Sequence, residues 1–534
     1  MSAATLWWRG AVVYQVYIRS FCDGNGDGQG DFAGLVSKLD YISKLGVDAI
    51  WLSPIHPSPN RDWGYDVSDY ENVHPDYGTL ADFDALLEAA HARGLKVIID
   101  EVLCHSSDEH AWFQDSLGRG VKSDWYVWAD PKPDGTAPNN WLSAFGGPAW
   151  SYHPARRQHY HHKFLRQQPK LNWRNSEAKK AALAVLDFWL ARGADGYRLD
   201  VANAFLHDET LADNPPVEPD KRTPAIWSRA ANLQRHLHDS NLPENIACLA
   251  EIRRTVERHA DRFVFGEFSE GFERSGAYAA PDVGLHAGYT FFMLRANRLS
   301  PDFVKDNYAL LAQHPRHWPC VSFSNHDIVR TVTRFGGGPD GDPALAKLML
   351  ALLLSIKGTV LLYQGEELGL PEADLRRDQL KDPVGDLYYP LFKGRDGCRT
   401  PMPWNAKMQN LGFTTGESWL PLAKSHRALA ASEQENAADS ILAYARQLLS
   451  ARKHGTALRL GEMEFVGAPD PVLAFVRAYE SERVHCVFNM SRDKAVFRND
   501  LISEATATGW GCGEAKATDG ELTLAPLSAW FAYL

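Results

Sequence analysis

No stretch of the 534 residues reaches about 18 uninterrupted apolar positions, the length a helix needs to cross a bilayer, so no membrane span is expected. Internal repeats, low-complexity tracts and blocks of like charge are missing too, and nothing points to disorder. Positive charge is in short supply. The formal net charge of -11 disfavours a nucleic-acid or anionic-membrane partner, which would need a basic face, and a neutral substrate is the easier fit. Cysteine is sparse: the seven at 22, 104, 248, 320, 398, 486 and 512 are odd in number, scattered, and lack metal-ligand spacing. They read as reduced thiols in a reducing compartment. The N-terminus has no basic segment ahead of an apolar core, and Arg9, Gln15 and Arg19 break any signal-like run. A cytoplasmic protein is expected, as a monomer or homodimer.

What is present suits a large catalytic unit with accessory parts, since the chain is too long for one small core. Strand and helix patterns alternate. Strands are expected at Val12 to Ile18, from Val47 in VDAIWLSP, at Val97 to Val102, Gly196 to Asp200 and Phe263 to Gly266. Further strands are expected near Gly284 to Thr290, at Pro319 to Ser324 and at Thr359 to Tyr363. That count matches the eight strands of a (β/α)₈ TIM barrel, a fold of the α/β class. Between the third and fourth strands lies a long segment rich in Trp, His, Pro, Gly and Asn, read as an inserted subdomain. After about Gly455 helical patterning stops and short alternating segments suggest a C-terminal antiparallel β domain. The expected organisation is a barrel over 1–103 and 174–454, an inserted subdomain over 104–173, and the β domain over 455–534.

The chemistry gathers at strand ends. Residues two apart on a strand share a face, so Arg198 and Asp200 share one environment, and the guanidinium favours an ionised carboxylate. Glu267 ends the fifth strand, and Ser324-Asn325-His326-Asp327 ends the seventh. Three acids on one rim push their pKa values apart, so that one can stay protonated while others ionise. Glycosidic cleavage with retention requires that division of labour.

The motifs DEVLCH (Asp100 to His105), QPKLNW (Gln168 to Trp173), GYRLDVAN (Gly196 to Asn203), GEF (Gly266 to Phe268) and FSNHD (Phe323 to Asp327) occur in that order. The sequence thereby resembles the α-amylase family of glycoside hydrolases, and GVDAIWLSPI and GTVLLYQGEELGL look like that family's second and eighth strands. The resemblance implies Asp200 as nucleophile, Glu267 as general acid/base and Asp327 as transition-state stabiliser. Arg198, His105 and His326 would support the bound glycosyl ring.

The segment Arg61 to Asp66 resembles the α-glucosidase and oligo-1,6-glucosidase branch, where Tyr65 would stack on the terminal sugar. There Asp62 would pair with a distant arginine, expected here to be Arg399 of GRDGCRTPMPW, closing the cleft into an exo-acting pocket. Phe145 and Phe164 are candidate walls of the leaving-group site. Val201, after the nucleophile, goes in this branch with activity on α-1,6 bonds. The implied activity is release of α-glucose from the non-reducing end of short α-glucosides. A glucosyltransferase, or a sucrose- or trehalose-type isomerase, would use the same intermediate, and a non-catalytic scaffold is a minor alternative.

Two departures stand out. Cys104 replaces a common Asn that helps bind calcium between barrel and subdomain, and a thiol is a poor calcium ligand, so that ion is not expected. Lys170 replaces a usual Asp. A different metal site is expected in Asp23-Gly-Asn25-Gly-Asp27-Gly-Gln29-Gly-Asp31, where hard oxygens alternate with glycines. The EF-hand pattern fails at Gly34, and the resemblance implies a structural Ca²⁺ or Mg²⁺ held by Asp23, Asn25, Asp27, Asp31 and the Gln29 carbonyl. No organic cofactor is expected.

Overall fold

The structure, a computed structural model, describes residues 6–222, 229–269, 276–280 and 283–534. Eight parallel strands make one sheet: β1 (Val12–Val16), β2 (Ala49–Leu52), β3 (Lys96–Glu101), β7 (Gly196–Leu199), β8 (Phe263–Phe268), β9 (Ala287–Thr290), β10 (Cys320–Val321) and β11 (Thr359–Tyr363). Here β4 (Trp128–Ala129), β5 (Trp150–His153) and β6 (Gln158–His161) form a separate antiparallel sheet between β3 and β7. The order β10-β11-β1-β2-β3-β7-β8-β9 returns on itself through a single parallel bridge, Gly288 to Pro319, so the barrel is nearly closed. The sixth and seventh barrel strands, β9 and β10, are shorter than the sequence patterning suggests.

Alternation along each strand explains how the barrel is filled. Inward positions start apolar at the N-terminal end, with Val13, Ala49, Ile98, Phe263 and Ala287 packed together inside. Two residues further on, the same columns carry Gln15, Trp51, Asp100, Phe265 and Tyr289, and beyond Phe265 comes Glu267. Apolar filling thus gives way to Gln15, Asp100 and Glu267 toward the C-terminal strand ends. Gly196 opens β7 at φ +157, and a Cβ there would sit 1.8 Å from the Phe263 carbonyl oxygen, so only glycine lets β7 lie this close to β8.

The layer outside the barrel is helical. The helix Ser176–Arg192 is capped by the Asn175 side chain, which accepts from Glu177 and Ala178, and ends at Gly193 in the left-handed region. It buries Ala182, Val185, Leu186 and Trp189 against the sheet and delivers the chain into β7. Past residue 455 a short helix, Thr456–Leu460, still runs before antiparallel strands begin at Glu462–Val466. Those strands form one five-stranded and one three-stranded sheet. No helix among the described residues is long and apolar enough to cross a membrane, and all seven cysteines are free and buried.

Candidate active site

Arg198 is the centre of the rim. Its side chain is wholly buried, with Nη1 donating to Asp100 Oδ1 at 2.9 Å and to Asp200 Oδ1 at 2.6 Å, while Nη2 lies 2.8 Å from Glu267 Oε2. The register that sets Asp100 beside Arg198 across β3 and β7 brings the first pair together. Tyr289 completes the cluster, accepting from Arg198 Nη2 at 3.0 Å and donating to Glu267 Oε1 at 3.3 Å. Burial pushes Glu267 up to about 8, with the charges of Asp200 and Asp327 adding to burial and Arg198 opposing it. Burial likewise raises Asp200 to about 6, and Arg198 keeps it from going higher.

Asp327 lies in a second network. Arg399 Nη2 donates to its Oδ1 at 2.8 Å and Arg395 Nη1 approaches the same oxygen at 3.4 Å. Burial raises this carboxyl too, but His326, Arg395 and Arg399 outweigh it and hold the group well below the usual carboxylate range. His326 itself is pushed down to about 3 by burial, so the ring is neutral near pH 7. The Gln15 amide donates to its Nδ1 at 2.7 Å, which leaves the proton on Nε2, 2.6 Å from the Tyr65 hydroxyl. Tyr65 in turn donates to Asp100 Oδ2 at 3.1 Å. One face of the Tyr65 ring is stacked on His326, centroids 5.3 Å apart and planes at 3°.

The expected pairing of Asp62 with Arg399 is not what the structure contains. Asp62 Oδ1 accepts from Arg395 Nη2 at 2.6 Å, whereas Arg399 turns to Asp327 and to the His326 carbonyl at 2.7 Å. The two arginines are four residues apart, and the 3₁₀ turn Asp396–Cys398 sends them to different carboxylates. Gln168 donates to the other Asp62 oxygen at 3.0 Å and to the Tyr65 carbonyl, and lies 3.2 Å from His105 Nε2. Across the mouth, the Arg395 guanidinium lies over the Phe145 ring at 5.1 Å, Phe145 packs on Phe164 at 5.2 Å, and Phe164 on His105 at 5.4 Å.

Val201 has φ 45, a left-handed conformation costing a β-branched residue about 1–3 kcal/mol. Its N–H donates to Glu267 Oε2 at 3.3 Å, so the strained turn after Asp200 also reaches the neighbouring carboxyl.

Cys104 and Lys170 meet. The buried ammonium donates to the Ala204 carbonyl and lies 3.7 Å from Cys104 Sγ, so the two departures from the family pattern form one cationic contact between barrel and subdomain. In the loop after β1, the Asp23 carboxylate accepts from the N–H groups of Asn25, Gly26 and Gly28 at 2.9, 2.6 and 2.8 Å. Asn25 accepts from Asp27 N and Asp27 from Gln29 N, both at 2.8 Å, while Asp31 caps the next helix through Gly34 N. Burial raises Asp31, and the charges of Asp23 and Asp27 raise it further. These are hard oxygen donors with mutual repulsion, a donor set that fits Ca²⁺ or Mg²⁺. Among the described residues no three His, Cys, Asp or Glu side chains gather closely enough to hold an ion alone, so Asn25 and a backbone carbonyl would have to take part.

Sequence reasoning passed over Asp100, Tyr289, Gln15 and Arg395. Asp100 was within reach, since it opens DEVLCH on the strand next to Arg198, and Arg395 lies in the same motif as Arg399.

A barrel with ionisable groups collected at the C-terminal strand ends is the arrangement of a TIM-barrel enzyme, and neighbouring carboxyl groups on that rim suit the cleavage of glycosidic bonds. The family described as alpha amylase, catalytic domain, matches residues 15–461; the chain belongs to this family and is a glycoside hydrolase. It is 46% identical over 540 aligned positions to the probable alpha-glucosidase of Rhizobium meliloti (strain 1021), covering 99% of this chain and 97% of that one. An oligo-1,6-glucosidase of Heyndrickxia coagulans is 36% identical, with 92% and 94% covered. Among solved structures, the alpha-glucosyl transfer enzyme XgtA is 46% identical with a TM-score of 0.95, covering 99% of both chains. The trehalulose synthase MutB from Pseudomonas mesoacidophila MX-45 is 31% identical with a TM-score of 0.87, again covering 99% of both.

Proposed function

We propose that this chain is a retaining, exo-acting α-glucosidase that releases α-glucose from the non-reducing end of short α-glucosides, α-1,6 bonds included. The observation that carries the reading is the sharing of one guanidinium by two carboxyl groups of unequal acidity, Asp200 near 6 and Glu267 near 8. Held by adjacent nitrogens, the two stand close, which suits the roughly 5 Å separation of retaining enzymes better than the wider gap that admits a water. Between those pKa values Asp200 is a carboxylate and Glu267 an acid. Asp200 attacks the anomeric carbon while Glu267 protonates the departing oxygen, giving a glucosyl ester. Glu267, now a carboxylate, takes a proton from water, which attacks the same carbon and frees Asp200.

Asp327, kept ionised by Arg395 and Arg399, grips sugar hydroxyls as positive charge develops on the ring. Tyr65, His105, Arg198 and His326 shape the glucosyl site, Phe145 and Phe164 line the leaving-group side, and Val201 biases linkage. The bridge between Asp62 and Arg395 closes the far end, which supports action on chain ends only. The loop from Asp23 to Asp31 is assigned a structural Ca²⁺ or Mg²⁺, held by Asp23, Asn25, Asp27, Asp31 and the Gln29 carbonyl, that stiffens the segment behind β1.

The test is a parallel assay on isomaltose, maltose, sucrose and nitrophenyl α-glucoside, with NMR of the first anomer released. α-Glucose is expected, and β-glucose as the initial product would overturn retention. Likeness to XgtA over 99% of both chains favours a second reading, in which a sugar or alcohol intercepts the same ester. Transfer products from concentrated maltose or sucrose that exceed free glucose would establish it.

A further inference from the structure

We propose that Asp382 is a positioning residue that sets the non-reducing end of the glucosyl pocket by locking Arg395 against Asp62. The inference rests on the exo-acting reading above. Asp382 has no exposed surface, and its carboxylate takes Arg395 side-on, Nε to Oδ2 at 3.1 Å and Nη2 to Oδ1 at 2.8 Å. The Arg395 backbone N–H donates to the same Oδ2 at 2.7 Å, so both ends of the arginine are tied to one carboxylate. A side-on fork of this kind fixes the guanidinium plane. With that plane fixed, Nη2 also meets Asp62 at 2.6 Å and Nη1 faces Asp327 at 3.4 Å.

The anchor is itself braced. The backbone N–H groups of Lys381 and Asp382 both donate to Asp396 Oδ2, at 2.6 and 2.8 Å. Gly394 adopts φ +78, and a Cβ there would lie 2.5 Å from Asp382 Oδ2, so the loop needs glycine to bring Arg395 onto this carboxylate. Without Asp382, Arg395 would be shared between Asp62 and Asp327 alone. The guanidinium would then be free to swing toward Asp327, and the wall behind the terminal sugar would loosen.

The competing role is a local one, since Asp382 also caps the short helix Pro383–Tyr388 through Val384 N at 3.2 Å. Two readouts separate the roles: the KM and kcat split on maltose and isomaltose, and cleavage of a nitrophenyl maltooligosaccharide whose non-reducing end carries a 4,6-O-ethylidene cap. For Asp382→Asn we expect KM to rise about 10- to 100-fold, as for loss of a charged hydrogen bond, with kcat within about threefold. The ratio of capped to uncapped cleavage should rise as well. Wild-type KM and wild-type refusal of the capped substrate, with only a lower melting temperature, would overturn the proposal. If the wild-type enzyme itself cleaves the capped substrate, the exo reading fails instead. Should Asp382→Asn not fold, Asp382→Glu is measured alone and together with Arg395→Met. Loss of the Asp382→Glu effect in the double variant supports action through Arg395, and full retention of that effect overturns it.

Discussion

At the barrel mouth Arg198 faces Asp100, Asp200 and Glu267, whereas Arg395 and Arg399 together face Asp62, Asp327 and Asp382. Both networks are buried except at Asp327, whose side chain is 22% exposed, and both are made of arginines and carboxylates. In the first, one cation serves three acids, burial prevails, and Asp200 and Glu267 are lifted toward neutrality. In the second, two guanidiniums surround Asp327 and hold it ionised. Burial penalises every charged form, so the local count of opposite charges decides which carboxyl carries a proton. The poor supply of cations around Arg198 leaves Asp200 and Glu267 raised, as the proposed mechanism needs, and the fuller supply around Asp327 holds that group as an anion.

The largest test breaks the first network at the proposed nucleophile. Asp200→Ala should lower kcat at least about 10⁴-fold on every glucoside, measured with nitrophenyl α-glucoside, because no ester can form. Glu267→Gln should cost about 10²- to 10⁴-fold, with the smallest loss on the nitrophenyl substrate, whose leaving group needs least protonation. The pH profile sharpens the same point. Asp200 must lose its proton and Glu267 must keep its own, so kcat/KM should rise with pH through about 6 and fall through about 8. In Glu267→Gln the alkaline limb should vanish.

The second network is probed by Arg399→Leu, which removes the 2.8 Å partner of Asp327. Asp327 should then titrate at higher pH, with a loss of about 10- to 100-fold in kcat/KM for the missing charged hydrogen bond. A control outside both networks is the loop after β1. Chelation should lower the melting temperature, and returning Ca²⁺ or Mg²⁺ at about 100 times its Kd should restore about 2.7 kcal/mol. No shift in melting with either ion would remove the assigned site. The smallest effect is expected from Val201→Ala, which should change the isomaltose to maltose ratio by about 1 kcal/mol, the low end for a methyl-sized difference in a pocket.

The inward columns of the barrel were readable because period-two alternation is a local property. Arg198 and Asp200 share a face for that reason alone, and Glu267 reaches the rim because its strand ends there. The sixth barrel strand, β9, carried the least signal, and the seventh, β10, is paired only at Cys320–Val321 of the longer stretch expected. The structural companions of these residues were harder to read. Tyr289 joins Arg198 to Glu267 from the far side of β8, and Gln15 sets the His326 proton across more than 300 positions of chain. Lys170 and Cys104 read as two unrelated departures and prove to be one contact.

The sequence by itself determined the barrel, the family and the strand-end acids, because alternation, strand ends and short motifs are written in contiguous residues. Which arginine answers Asp62 was decided only in three dimensions. Arg395 and Arg399 carry the same charge in the same motif, and no local pattern separates them. The turn between them and the buried carboxylate of Asp382 make the choice, because a guanidinium in a dry site goes where its fork of donors is best matched.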